Sequence, residues 1–267
     1  PTAAERRALV PLWHRSNRVM WINDDRVFYA GLAGAMSTRR MGGWHLYVAL
    51  GDPIRVSIDG QAWQSAELAL VPPYTPHQVA CEERLLADLV IEAESVDPAA
   101  LPPLLACAAG AVQGADEFVR RVRHFHAWLC ARGRQAPLAT ADVDTCLFGH
   151  PLQRRALDPR IESALRTLRQ DPATELSARE LAERCGLSFS RFLHLFKQET
   201  GASWRDLRSW KRARSLLHHV TRDTNLVHVA LETGYPDSAH FSHSIRQVYG
   251  LRPRDIFAGS RRLTVVG

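Results

Sequence analysis

Lysine is nearly missing from this chain: only Lys197 and Lys211 occur, so the 34 Lys and Arg residues are almost all arginine. The five cysteines (Cys81, Cys107, Cys130, Cys146, Cys185) are odd in number, widely spaced and without a C-x-x-C pair. That excludes a disulfide framework and a zinc knuckle, and it fits reduced thiols in a cytoplasm. Long hydrophobic runs are also absent. Leu101–Val112 is apolar but carries two prolines and falls far short of the roughly 20 residues that a membrane span needs. Glu5, Arg6, Arg7, Arg15 and Arg18 interrupt the first twenty residues, so no apolar core of a signal peptide is expected there. No Gly-rich phosphate loop, nucleophile elbow or paired catalytic carboxylate motif appears. What remains is a soluble chain of 267 residues, 46% apolar, long enough for two ordinary domains and too apolar to be disordered.

The charge is unevenly placed. Residues 1–154 hold 15 Arg against 16 Asp and Glu, whereas residues 155–267 hold 19 Lys and Arg against 12 Asp and Glu. One half is therefore suited to meet a polyanion and the other is not. Composition alone does not separate that role from a solvated basic surface.

From Val27 to Glu92 the chain reads as short extended runs. Trp44–Leu50, Ile54–Ile58 with alternating apolar residues, Leu68–Val71 and Leu85–Ile91 are separated by Gly51-Asp52-Pro53, Asp59-Gly60 and Pro72-Pro73. An antiparallel β-barrel or jelly roll is expected. Between Asp116 and Cys130, Phe118, Val122, Phe125 and Leu129 form one helical stripe, which can pack on its own domain or pair with a second copy. Residues 133–157 lack sustained periodicity and read as a linker. Asp158 as N-cap and Pro159 at the first helical position then open a helix with Ile161, Leu165 and Leu168 on one face. The expected class is α+β with two domains: 1–132, a linker 133–157, and a helical domain 158–260.

The basic part contains a duplication. Ser177 and Glu180 form a capping box before a short helix that Gly186 ends; Ser188 caps a second helix, Phe189–Thr200, that Gly201 ends. Shifted by 48 residues, Ala182 and Gly186 fall on Ala230 and Gly234; shifted by 49, Phe196, Lys197, Gln198 and Gly201 fall on Ile245, Arg246, Gln247 and Gly250. The second copy reads as helix 226–233, turn 234–237 and helix 238–249. Each copy has the pattern of a DNA-binding helix-turn-helix, and two at near-constant offset strengthen the reading. The helix Ser203–Leu217 between them would be roughly 20 Å long, a spacer suited to two major-groove segments about 34 Å apart.

Inward packing of Phe192, Leu195 and Phe196 leaves Ser190, Arg191 and His194 facing out. Inward packing of Phe241, Ile245 and Val248 leaves Ser238, His240, Ser242 and His243. Arg191 can donate a bidentate pair to guanine, and His194 can donate to a base or phosphate. Lys197, Arg246, Arg208, Lys211 and Arg212 are candidates for phosphate.

Residues 176–256, above all Gly234–Pro253, resemble the double helix-turn-helix domain of the AraC/XylS family of bacterial transcriptional regulators. His243 and Ile245 stand where family members often have Arg and Phe. The segment Ala69–His77 is similar to the strand, proline turn and histidine of the cupin-like sensor domains found in many such regulators. The resemblance implies a cytoplasmic, homodimeric regulator that binds double-stranded DNA, contacts RNA polymerase and responds to a small-molecule effector at the N-terminal domain. His45, Tyr47 and His77 are the effector-binding candidates.

Two other readings compete. In a cupin-type enzyme His45 and His77 would bind a metal, but two isolated histidines fall short of the three protein ligands usually required, and no cofactor is expected. His124 and His126 point about 200° apart on a helix and cannot share an ion. In a ligand-independent DNA-binding protein the N-terminal domain would be purely structural.

Overall fold

The computed structural model describes residues 17–82, 85–132, 138–222 and 224–266. The readings on Glu5, Arg6, Arg7 and Arg15 lie outside them. The N-terminal domain contains strands β1 (Val19–Ile22), β2 (Arg26–Leu32), β3 (Gly43–Ala49), β4 (Ile54–Ile58), β5 (Gln64–Ala66), β6 (Leu68–Val71), β7 (His77–Ala80), β8 (Leu85–Glu92) and β9 (Gly110–Ala111). Helices α1 (Asp116–Arg132) and α2 (Thr140–Phe148) follow. The C-terminal domain consists of α3 (Pro159–Gln170), α4 (Ala178–Arg184), α5 (Phe189–Thr200), α6 (Trp204–Ser215), α7 (Leu226–Glu232), α8 (Ser238–Tyr249) and α9 (Pro253–Ser260). The chain then returns to the first domain as β10 (Thr264–Val266).

Of the expected barrel or jelly roll, the domain takes the two-sheet form and does not close into a barrel. The larger has the order β10-β1-β2-β8-β3-β6-β9 and the smaller β5-β4-β7. All pairs are antiparallel except β1 with β10, where Met20 lies beside Val265. Asp59 and Gly60, both at positive φ (48° and 72°), make the tight turn after β4 that their sequence announces.

Side-chain alternation decides what each face of the large sheet meets. Leu46 and Val48 of β3 join Phe28, Leu70 and Leu89 in a core covered by Phe118, Val122, Phe125 and Leu129 of α1. The α1 stripe is thus spent on its own domain and is not available as a seam for a second copy. His45, Tyr47 and Ala49 point to the opposite face. There Tyr47 and Ala49 share a core with Val56 and Val79 of the small sheet, and this core continues without a break into Trp210, Phe192 and Phe241 of the helical domain.

The segment read as a linker is largely part of the N-terminal domain. Val143 and Leu147 of α2 are buried in the α1 core. Asp144 receives two parallel hydrogen bonds from Arg26, both 2.9 Å, with both side chains almost fully buried. Arg26 also donates to Ser95 Oγ at 2.6 Å, and Asp97 N–H bonds the carbonyl of Gln153. Two apolar positions on a nine-residue helix make too short a pattern to show periodicity, and an ion pair 118 residues apart leaves no local signal.

Tyr47 and His77 form a second buried polar unit. The Tyr47 hydroxyl lies 2.9 Å from His77 Nε2, and His77 Nδ1 donates to the Thr75 carbonyl at 2.9 Å. Burial, and then the neighbouring His45, pull the His77 pKa down to about 3, and burial pushes the Tyr47 hydroxyl well up.

Two stability outcomes follow from these units. Asp144→Ala leaves Arg26 charged, buried and unpaired, and should cost about 3–5 kcal/mol in a chemical denaturation experiment, far more than loss of an exposed pair. His77 binds its proton at lower pH when folded than when unfolded, so the unfolded chain takes up the extra proton. The protein should therefore lose stability as pH falls below about 6.5, by up to about 1.4 kcal/mol per pH unit from this residue. His77→Gln should flatten that part of the stability profile; an unchanged slope would show that His77 is not held neutral.

Candidate nucleic-acid interface and interdomain pocket

The two helix-turn-helix units are built by the same local chemistry. Ser177 and Glu180 cap each other's backbone amides at α4, as their spacing requires. Ser188 Oγ accepts from the Arg191 amide at the start of α5, and Gly201 closes that helix at φ 79°. In the second unit Asp237 takes the capping role, accepting from the amides of Ala239 and His240 at 2.8 Å each. Gly250 ends α8 at φ 69°.

Phe192, Leu195 and Phe196 are buried, with Trp204 edge-on to Phe196 at 5.2 Å. Phe241, Ile245 and Val248 are buried likewise, with Tyr235 edge-on to Phe241 at 5.4 Å and its hydroxyl 2.8 Å from Ser244. The opposite faces are open. Ser190, Arg191, His194 and Lys197 on α5 are exposed, as are Ser238, His240, His243 and Arg246 on α8, while Ser242 is half-buried. His240 Nδ1 is 2.7 Å from Asp237 Oδ2, so only its Nε2 is free for an outside partner.

The spacer helix departs from expectation. Lys211 is buried, with Nζ 2.7 Å from Glu92 and 2.6 Å from Glu94, and it does not face a DNA backbone. Arg208 and Arg212 are half-buried and donate to the Thr174 carbonyl at 2.6 and 3.2 Å, with Arg212 also reaching Pro172. Their first task is to tie α6 to the turn after α3, and burial lowers both guanidinium pKa values. Arg205, which the sequence reading passed over, shares a shallow hollow with Arg208, Ser209 and Arg212 on the exposed side of α6. The 205, 208, 212 spacing was its signal.

A cavity of about 450 Å³ lies between the domains. Its walls are mostly apolar: Met20, Val27 and Val90 from the sheet, Leu217, Val220 and Ile256 from the helices. Of the three effector candidates only His45 opens onto it. Tyr47 and His77 are not in its wall and satisfy each other behind it. His45 Nδ1 lies 3.0 Å from Asp88, which fixes the ring, and Nε2 is buried without a protein partner. The rings of His45 and His77 are 6.1 Å apart. His77 has both nitrogens engaged, so the two do not converge on a common ligand position.

The cavity also contains a residue that the sequence did not flag. Arg39 is 7% exposed, lines the cavity and leaves its Nε–H without a partner. Among the described residues four Arg or Lys side chains are buried. Arg26 has Asp144, and Lys211 and Arg214 have Glu92, but no carboxylate of the described residues lies within ion-pair distance of Arg39, whose terminal nitrogen donates to the Ala33 and Ala35 carbonyls.

Comparison with known proteins places this architecture. A helix-turn-helix domain family matches residues 181–259. The invasion protein InvF of Salmonella typhimurium is 34% identical over 79 residues, 29% of this chain and 37% of InvF. The HTH-type transcriptional activator RhaS of Escherichia fergusonii is 33% identical over 105 residues, 38% of this chain and 37% of RhaS. The matches thus span just over a third of each relative. The fold of the whole chain resembles apo ToxT from Vibrio cholerae, with a TM-score of 0.54 and 9% identity over 89% of this chain and 98% of ToxT. ToxT with a bound unsaturated fatty acid gives a TM-score of 0.52 and 7% identity over 89% of this chain and 96% of ToxT. Two capped helix-turn-helix units on one spacer thus form, over residues 181–259, a helix-turn-helix domain similar in sequence to those of InvF and RhaS and resembling the AraC/XylS double helix-turn-helix type, joined to a β-sheet N-terminal domain in a fold shared with ToxT.

Proposed function

We propose that the chain is a sequence-specific DNA-binding transcriptional regulator, with α5 and α8 entering successive major-groove segments and the N-terminal domain binding a small-molecule effector. The observation that carries this reading is the pair of open recognition faces on a rigid, internally satisfied helical domain. Arg191 and His194 on α5, with Ser238, Ser242 and His243 on α8, read bases. Lys197, Arg246 and the Arg205–Arg208–Arg212 side of α6 meet phosphates. The cytoplasmic location, homodimer and RNA polymerase contact implied by the family belong to the same reading. Among the described residues no helix is long and apolar enough to cross a membrane.

Two features of the cavity specify the effector. An apolar wall takes an apolar body, and a buried guanidinium whose Nε–H is unpartnered and which has no ion pair among the described residues favours an acid group, because an uncompensated buried charge is costly. The effector is therefore an apolar-bodied carboxylate with its head beside Arg39 and His45. The fatty acid carried by ToxT, which shares the fold, is a ligand of this chemistry.

Selection of bound genomic fragments by the purified protein defines the operator. On that operator Arg191→Ala should cost about 1–3 kcal/mol and relax preference at one base, whereas Lys197→Ala should weaken all sequences alike and lower the salt slope by about one unit. Equal base preference in Arg191→Ala and the parent would remove Arg191 from the reading face. Sodium oleate at a hundred times its dissociation constant should stabilise the protein by about 2.7 kcal/mol. Arg39→Met should abolish most of that gain. Stabilisation that survives in Arg39→Met would place the acid group elsewhere.

A further inference from the structure

The two helix-turn-helix units meet the N-terminal domain through different chemistry. On the side of the first unit, the turn Ala93–Ser95 lies against α5. Beside it Asp25, Glu92 and Glu94 face Arg169 of α3 and Lys211 and Arg214 of α6. Glu92 is 2.7 Å from Lys211 and 2.6 Å from Arg214. Glu94 is 2.6 Å from Lys211 and 3.8 Å from Arg169, and Asp25 is 3.4 Å from Arg169. Every acid comes from the N-terminal domain and every cation from the C-terminal one. Glu92 and Glu94 are at most 1% exposed, so water screens these pairs little. Separating them leaves several charges in an apolar surround.

The second unit is held differently. Its contacts come from the loop between β2 and β3: the Arg40 amide donates to the Val248 carbonyl at 3.0 Å, and Ser37 Oγ donates to the Gly250 carbonyl at 2.5 Å. The same loop also makes a weak exposed tie to the spacer helix α6, Arg40 with Asp206 at 3.8 Å. The same loop supplies Ala33, Gly34, Ala35, Arg39 and Met41 to the cavity wall. Across the cavity the helical domain contributes residues of α6 and the turn after it, of the end of α8, and of α9 and the segment leading to β10. No residue of α4 or α5 lines it.

We infer that the cavity governs the second helix-turn-helix unit selectively: the ion cluster holds α4–α5 as a constant anchor, and ligand in the cavity sets the position of α8 through the 33–41 loop and α9. The inference rests on the effector reading above and specifies which half of the DNA interface that effector moves. A ligand shifts a structure only through contacts that differ between its states, and within the helical domain the cavity offers such contacts to the end of α8, to α9 and to the shared helix α6, and none to α4 or α5. Occupancy therefore changes preference at the half-site read by α8 and leaves the half-site read by α5 as it was.

Two variants of the full chain test this without any ligand. Ser37→Ala/Arg40→Ala removes surface contacts of the loop, and Arg169→Ala removes one cation of the cluster. By amide hydrogen exchange, the first should speed exchange in 238–259 and leave 189–200 unchanged; the second should do the reverse. In DNA binding the double variant should lose about five-fold or more on the intact operator, the lower range of allosteric couplings, and little on an operator whose α8 half-site is scrambled. If either variant loosens both recognition helices alike, the division is wrong. Sodium oleate should protect 238–259 and not 189–200, and equal protection of both would also overturn it. If oleate produces no thermal shift, the effector reading fails while the variant pair still decides the coupling.

Discussion

The carboxylate of Glu92 is the constraint on which the arrangement of the two domains depends. It stands at the end of β8, opposite Gly43 of β3, with no exposed surface. It accepts from Trp210 Nε1 at 2.8 Å and Lys211 Nζ at 2.7 Å, and it pairs with Arg214 Nε at 2.6 Å. Burial by itself pushes this carboxyl up, but Lys211 and Arg214 outweigh that and hold it below the usual carboxylate range. A single ionised group thus fixes one end of the sheet to little more than one turn of α6, the helix between the two helix-turn-helix units. Without Lys211 and Arg214 Glu92 would be an unpaired buried charge; without Glu92, Lys211 would keep only Glu94 and Arg214 would lose its carboxylate.

That ionic contact sits inside a continuous apolar one. The core that begins with Tyr47, Val56 and Val79 in the sheets runs through Trp210 into Phe192, Trp204 and Phe241. Trp210 reaches its place because residue 42 is glycine: a Cβ there would lie 2.4 Å from the Trp210 ring. Apolar burial supplies most of the attraction between the domains, being proportional to area and without direction. The ion pairs and the Trp210 hydrogen bond supply the direction. β10 adds a third tie, placing Val266 beside Trp21 on the outer edge of the large sheet and leaving β1 paired on both sides.

Local rules were legible wherever the cause lies within a few residues. The caps at Asp158, Ser177, Ser188 and Ser203, the glycine stops at 186, 201 and 250, and the Asp59-Gly60 turn follow from side chains that satisfy or bend the adjacent backbone, and each is found where its spacing puts it. The reading failed where the cause is distant. Lys211 lies between Arg208 and Arg212 and so passes for part of a basic surface, yet Trp204, Leu207, Trp210, Lys211 and Arg214 form the buried side of α6. Arg39 sits in a loop with no pattern, and its significance is that, among the described residues, no carboxylate stands within ion-pair distance of it even though Asp88 and Asp255 line the same cavity. His45, Tyr47 and His77 stand out in the sequence as separate effector candidates, but which of them faces the cavity depends on how the strands and sheets are placed. Residues 45 and 47 share a face; the register sets Tyr47 opposite Asp88 and His45 opposite Val90, so His45 reaches Asp88 on the diagonal, while packing of the small sheet brings His77 to the Tyr47 hydroxyl.

The same distinction alters what the charge asymmetry means. Of the 19 cations after residue 154, Arg169, Lys211 and Arg214 point into the N-terminal domain and face Asp25, Glu92 and Glu94. Matched one for one, they leave the net charge of the whole chain untouched while moving three acids and three cations out of reach of phosphate. Counterion release counts only the phosphates that a protein neutralises, so the salt dependence of DNA binding reports the exposed arginines and Lys197 rather than the formal excess. The N-terminal domain is near neutral in sum, but its acids are placed where they hold the DNA-binding domain. In the proposed regulator its contribution to DNA recognition would be the orientation it imposes on two readers, one held beside the ion pairs and one resting on the cavity.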